Sequence, residues 1–282
     1  MNATKICLSL YGTTEEIIGA ISAHDADLFE VRLDLSAELN GPQIRAATRK
    51  PLLFTAHRRP DLLERFWPFA DYVDVEQADA TGRSTIRSIH AGEEDPEALW
   101  NKLCGEHMTK IVLETENYKT ISRLIKMNRE HVPLALCFAS GEAGSFSRIV
   151  SVLEGARWLY ASLPGRATAP GQFTFDELIH VYQLRRFQQG QNVLIFGILG
   201  NPVFQSRSPQ IQNQNFADAS LPWIYLPFLC KDLSGLIENA HDWNSKAFSV
   251  THPYKEDVIR FLDVASPEVL ALRSCNTTAF VE

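Results

Sequence analysis

Lys110 opens the run KIVLETE and His90 closes the run TIRSIH, two segments rich in β-branched and apolar residues that read as strands. If these strands are neighbours and both side chains face a sheltered interior, the pair has a definite chemistry. Burial favours the uncharged amine, a neutral amine attacks a ketone to form an imine, and an imidazole within reach moves the protons. Spacing alone does not choose this reading. A lysine at a strand start is more often a solvated end, and a histidine closing a strand is more often satisfied by backbone. Arg148 in GEAGSFSR could cap or pair with nothing more than a nearby carboxylate, and Glu30 with Arg32 could be a structural ion pair between strands.

The elements that must position these residues can be read from the pattern of the chain. Up to about Gln189, short apolar runs alternate with helical-period segments in eight units. The strand candidates are 5–10, 28–35, 52–57, 72–76, 85–90, 110–116, 132–138 and 156–163. Such alternation suits either a (β/α)8 TIM barrel or an open doubly wound sheet. In LFEVRLDL, Glu30, Arg32 and Asp34 fall on one face, with Phe29, Val31, Leu33 and Leu35 on the other. An open sheet would bury those three charges under helices, whereas a barrel turns them into a lumen. Asp74 with Glu76, and Lys110 with Glu114, repeat the arrangement, so a barrel with a working interior is expected.

A helix is expected over FDELIHVYQLRRF (175–187), then a polar linker, and VLIFGILG opens a new unit. The expected division is therefore 1–189 as a barrel and 190–282 as a small α/β domain. A formal net charge of -7 gives no footprint for phosphate backbones. Five cysteines without a CxxC pair argue against zinc or a disulfide framework and for a reducing compartment, with the cytoplasm as the default. No apolar stretch reaches the ~20 residues of a membrane helix.

An ordered set of short motifs gives the chain a resemblance to class I (Schiff-base) 3-dehydroquinate dehydratase over residues 1 to 189. They are KICLSL, E-x-R-x-D at Glu30, Arg32 and Asp34, D-x-E at Asp74 and Glu76, S-x-H at Ser88 and His90, K-I at Lys110, G-x-x-S-R ending at Arg148, and A-P-G-Q ending at Gln172. The resemblance implies that Lys110 forms the imine with the C3 ketone and His90 takes the C2 proton and assists departure of the C1 hydroxyl. It implies that Arg148 holds the substrate carboxylate, and that Ser9, Glu30, Arg32, Thr168 and Gln172 position the ring. No metal and no diffusible cofactor is implied. The sequence departs from the family pattern at Thr55-Ala56-His57, where either His57 takes the place of an arginine or Arg58 or Arg59 reaches in. Ala91 stands where an aspartate commonly follows the histidine, and only about eight residues separate Glu76 from Thr85.

The second segment resembles the substrate-binding part of shikimate dehydrogenase, through the S-x-S motif at Ser206 and Ser208, VTHPYK and SCNTT. The resemblance implies that Ser206 and Ser208 hold the shikimate carboxylate, Lys255 serves the hydroxyl being oxidised, and Thr251 and Asn276 bind other hydroxyls. GILGNP lacks the G-x-G-x-x-G spacing of a dinucleotide fingerprint. NADP is therefore expected only with a further C-terminal domain, and no shikimate oxidation from this chain alone. The expected partner is a small cyclic keto acid, with neither nucleic acid nor membrane, and a homodimer is left open. The rivals are an aldolase-type Schiff-base barrel and a non-catalytic binding or scaffolding protein of the same pathway.

Overall fold

The computed structural model describes residues 3–57, 59–76 and 85–280 of the 282-residue chain. Eight parallel strands build its first half: β1 (Ile6–Leu10), β2 (Leu28–Arg32), β3 (Leu52–Thr55), β4 (Tyr72–Glu76), β5 (Thr85–Ala91), β6 (Met108–Glu114), β7 (Ala135–Ser140) and β8 (Leu159–Ala161). They lie in the order β7-β6-β5-β4-β3-β2-β1-β8. Because β8 pairs with β1 and β7 lies at the other end, the sheet curls into a cylinder whose seam runs between β7 and β8. Phe138 and Tyr160 meet across that seam with ring centroids 6.3 Å apart.

Side-chain alternation explains the two surfaces of this sheet. Cys7, Leu28, Leu53, Tyr72, Ile86, Met108, Leu136 and Tyr160 belong to one apolar cluster, and each comes from a different strand. Such a cluster forms only if all eight inner faces converge, as in the filled floor of a barrel. The alternate residues, among them Leu8, Val31, Phe54, Val73, Ile111 and Cys137, join the larger outer core.

The surrounding helices are α1 (Thr14–Ala23), α2 (Gly41–Ala46), α3 (Leu63–Phe66), α4 (Pro96–Leu103), α5 (Tyr118–Glu130) and α6 (Ser145–Leu153). Their starts are chemically marked. Thr13 and Glu16 form a reciprocal capping box on α1, Asp95 caps α4 ahead of Pro96, and Asn117 caps α5. The expected helix over 175–187 is not continuous. It is a π-helical turn at Glu177–Val181 and a 3-10 turn at Leu184–Arg186, separated by Gln183 in the left-handed region at φ 48°. The strands also differ from expectation at their ends: β2 stops at Arg32, where Leu33–Leu35 turns into a 3-10 helix, and β7 begins only after Pro133.

A second sheet follows, with β9 (Leu194–Gly200), α7 (Ser208–Asp218), β10 (Trp223–Leu229), α8 (Leu233–Asn239), β11 (Ser245–Val250), α9 (Pro267–Leu272) and β12 (Thr277–Ala279). The order is β10-β9-β11-β12, with only β12 antiparallel. The two sheets share one apolar core. Every residue of α6 is buried, because the barrel covers one side and the second sheet the other. Phe146 packs 4.7 Å from Phe228 and 5.1 Å from Trp243 between ring centroids, and Tyr118 Oη donates to the Leu229 carbonyl at 3.2 Å. Arg186 donates to the Leu221 and Trp223 carbonyls across the same boundary. Among the described residues no helix is long and apolar enough to cross a membrane.

Candidate active site

Above the apolar floor the inward positions become polar, and they surround a cavity of about 360 Å³. This size suits a small molecule. The cavity is lined by Ser9, Glu30, Arg32, His57, His90, Lys110, Arg148, Thr168 and Gln172, so the fold gathers these nine residues expected from sequence around one space. Arg58 lies outside the described residues. Arg59 is exposed and forks onto Asp61, with Nη2 to Oδ2 at 2.8 Å, whereas His57 lines the cavity.

Lys110 is deep in the cylinder. It is 5% exposed, and its Nζ donates to Asp74 Oδ2 at 2.7 Å and sits 4.7 Å from the centre of the Tyr160 ring. Burial alone would raise the Asp74 carboxyl, but the Lys110 charge and hydrogen bonds from Lys110 and Ser88 outweigh it and hold the group below its ordinary value. His90 rises from β5 beside the lysine strand, since Ser88 pairs with Lys110 and His90 with Val112 in the β5–β6 register. Burial, aided by the Lys110 charge, pushes the His90 imidazole below its ordinary value, and the opposing pull of Glu76 is weaker. The imidazole is therefore neutral near pH 7, the form that accepts a proton.

Glu30 does not pair with Arg32. Its carboxylate accepts from Ser9 Oγ at 2.5 Å and Thr55 Oγ1 at 2.7 Å, one hydroxyl from each neighbouring strand. Arg32 instead forks onto Asp34 through Nε at 3.0 Å and Nη2 at 2.7 Å, because the 3-10 turn swings Asp34 back over the strand end.

Arg148 enters from the first turns of α6. It is 4% exposed, stands 4.7 Å over the Phe138 ring, and donates through Nη2 to the Pro170 carbonyl at 3.2 Å. Its Nε has no hydrogen-bond partner among the described residues, and burial depresses the guanidinium to about 10. It remains charged at neutral pH, so a buried cation faces the cavity with donor capacity to spare. The loop that closes this side owes its shape to Gly171, held at φ 70° against Gly141, where a Cβ would come within 2.1 Å of the Gly141 carbonyl oxygen. That turn presents Gln172, which binds Thr168 through Oε1 and reaches Ser9 Oγ at 3.4 Å.

Two carboxylates were named in the D-x-E motif without a site role, yet both touch the reactive pair. Asp74 holds Lys110, while Glu76 lies 2.8 Å from His57 Nδ1 and 3.6 Å from His90 Nδ1. Their place on the lumen face was legible from alternation. Their partners depend on strand stagger, which a single sequence does not display.

In the second sheet, Ser206 lines a separate cavity of about 440 Å³ at the boundary, together with Phe173, Glu177 and Tyr182 of the first unit. The Ser208 amide donates to Ser206 Oγ at 3.2 Å. Thr251 follows β11 as Asn201 follows the parallel neighbour β9, so the serine loop and Thr251 share one sheet edge. Backbone bonds from Cys275 to the Lys255 carbonyl and from Val250 to the Asn276 carbonyl, both 2.8 Å, draw Lys255 and Asn276 to that edge. Ser208, Thr251, Lys255 and Asn276 do not line the cavity that Ser206 lines.

Comparison with known proteins adds a separate finding. The family described as type I 3-dehydroquinase matches residues 6–189, and the shikimate dehydrogenase substrate binding domain matches residues 198–278. The chain is 25% identical to the bifunctional 3-dehydroquinate dehydratase/shikimate dehydrogenase, chloroplastic, of Arabidopsis thaliana over 98% of its length. It spans about half of that relative, 52%. The solved dehydroquinate dehydratase and shikimate dehydrogenase from S. pombe AroM shares the fold over 99% of this chain and 62% of that one, with a TM-score of 0.51 at 20% identity. The 3-dehydroquinate dehydratase from Aquifex aeolicus shares it over 65% of this chain and 98% of that one, with a TM-score of 0.52 at 21% identity.

Proposed function

The chain belongs to the type I 3-dehydroquinase family, and on that premise we propose that it dehydrates 3-dehydroquinate to 3-dehydroshikimate in the shikimate pathway by syn elimination through a lysine imine. One observation carries the reading: a buried amine, Lys110, and a buried guanidinium with spare donors, Arg148, line one cavity together with the neutral imidazole of His90. An anionic keto acid answers all three groups at once.

In this mechanism Arg148 binds the carboxylate, and Ser9, Glu30, Arg32, His57, Thr168 and Gln172 contact the ring hydroxyls and carboxylate. Lys110 Nζ passes a proton to His90 and attacks the C3 carbonyl; His90 returns that proton as the carbinolamine loses water, leaving a protonated imine whose charge the adjacent Asp74 carboxylate stabilises. The iminium draws electrons from the C2–H bond as His90 takes the proton. The electron pair then expels the C1 hydroxyl, which leaves as water with a proton from His90. Hydrolysis of the imine returns Lys110, so the net change is loss of one water. The residues supply the electron sink themselves, and no diffusible cofactor enters this scheme.

The second unit, residues 190–282, is proposed to bind shikimate at the edge formed by Ser206, Ser208, Thr251, Lys255 and Asn276. Its similarity to a substrate binding domain supports this. Nicotinamide turnover is not expected of residues 1–282, since GILGNP is no dinucleotide fingerprint.

The deciding experiment is borohydride reduction in the presence of 3-dehydroquinate, with mass mapping of the adduct, beside an assay of enone absorbance. Adduct on the Lys110 peptide and enone formation support the proposal; enone formation with no adduct, or an adduct elsewhere, refutes it.

A further inference from the structure

The strands β3, β4 and β5 are neighbours, and their upper ends bring three metal-binding side chains together. Thr55 pairs with Asp74, so His57, two residues on, stands opposite Glu76; Glu76 pairs with Ser88, so His90 stands one step above it. The ligand atoms of His57, Glu76 and His90 all lie within 4.8 Å of one another. Glu76 Oε2 is 2.8 Å from His57 Nδ1, and Glu76 Oε1 is 3.6 Å from His90 Nδ1. Donors around a tetrahedral zinc with bonds of 2.0–2.1 Å are separated by roughly 3.3 Å, so each carboxylate–imidazole separation lies within about 0.5 Å of what such an ion requires. The two imidazole side chains are 31% and 32% exposed while Glu76 is buried, so an ion could enter from the cavity and keep open positions toward it.

The donor set is selective. Two imidazoles and one carboxylate suit zinc, cobalt or nickel, whereas magnesium and calcium need oxygen-rich shells. The cysteine count had argued against zinc; this trio contains no cysteine, and it arises from strand stagger and from the histidine at position 57.

We infer that His57, Glu76 and His90 form a site for a divalent transition-metal ion of the zinc class, and that an ion there takes the His90 lone pair and so inhibits the dehydration. The inhibition rests on the function proposed above; the binding does not. Each imidazole donates a lone pair to the ion and the carboxylate supplies the third bond, with water filling the open position. No electron transfer is involved.

The test is titration of the metal-free 282-residue protein with Zn²⁺ by calorimetry, and with Co²⁺ by visible absorption, without substrate. One tight equivalent is expected, with the intense d–d bands of low-coordinate cobalt. Changing an outer-shell partner alone costs roughly 10- to 100-fold in affinity, so loss of one of three ligands should weaken binding at least that much in both His57→Gln and Glu76→Gln. His241→Ala, a change at an exposed histidine outside the trio, should leave it unchanged. Circular dichroism confirms that each variant is folded, and the His57→Gln amide can still bond Glu76, so the result does not hang on one substitution. Zinc should also suppress enone formation, chelator should restore it, and millimolar Mg²⁺ should do nothing. Absence of a stoichiometric site, or a site unaffected by both His57→Gln and Glu76→Gln, overturns the inference; binding without inhibition overturns its second half. Borohydride trapping on Lys110 in metal-free protein reads the dehydratase proposal independently, so failure of either is visible without the other.

Discussion

Lys110 Nζ lies 2.7 Å from Asp74 Oδ2, and both groups are buried within the cylinder. A buried pair of this kind is weak support for stability as a whole, but breaking it from one side strands a charge. Asp74→Asn should therefore destabilise the fold by about 3 kcal/mol or more, whereas Lys110→Met with Asp74→Leu should recover most of the loss. Urea melts of the two variants check this. Equal destabilisation of single and double variants would show that the pair is not what the site depends on.

The same pair sets an acid limit. Asp74 is held below its ordinary value, so its folded form binds a proton less readily than its unfolded form near about 3.9. The stabilisation is present above that value and is lost as pH falls through the lower folded one. The melting-temperature gap between wild type and Asp74→Asn should be constant at neutral pH and close below about pH 4.

His90 is depressed by burial and partly restored by Glu76, which predicts a pH–rate profile with two signatures. The acid limb of kcat/KM for dehydration should have its midpoint below the usual histidine value of about 6.5. Glu76→Gln removes the restoring interaction and should move the limb further down. His90→Ala should lower kcat by roughly 10²- to 10⁴-fold without preventing folding. A limb that stays in place in Glu76→Gln would assign it to another group.

Arg148 is buried, with its Nε unpartnered among the described residues. Charge-assisted hydrogen bonds contribute about 1.5–3 kcal/mol, which corresponds to roughly 10- to 100-fold in affinity. Arg148→Lys keeps a charge but loses the fork, so KM for 3-dehydroquinate should rise by about that factor, with the Lys110 adduct still formed at saturating substrate. Steady-state kinetics beside borohydride trapping check both statements.

Phe146 fills the boundary between α6 and the second sheet, packed against Phe228 and Trp243. Phe146→Ala should cost about 3–5 kcal/mol, as for other large buried aromatics. Because the two sheets share one core, calorimetry should show one transition for the wild type. Two separated transitions before the substitution would show that the sheets unfold independently.

Much of the first unit was legible in the chain itself. Alternation with a period of two decides which face a strand residue takes, so Glu30, Arg32, Asp74, Glu76 and Lys110 could be assigned to an interior without knowing their neighbours. Apolar runs separated by helical segments likewise announced repeated β/α units, and the polar stretch near 190 announced a second sheet. Helix 175–187 misled because its periodicity is helical although Gln183 interrupts the backbone. Which inward groups meet was decided only in three dimensions. The stagger of β3, β4 and β5 sets Glu76 between His57 and His90, the 3-10 turn after β2 gives Arg32 to Asp34, and docking of α6 between two sheets drives Arg148 into the lumen. Facing is a local property of backbone pleat, but adjacency follows from register and layer packing, which are chosen by contacts between residues far apart in the chain.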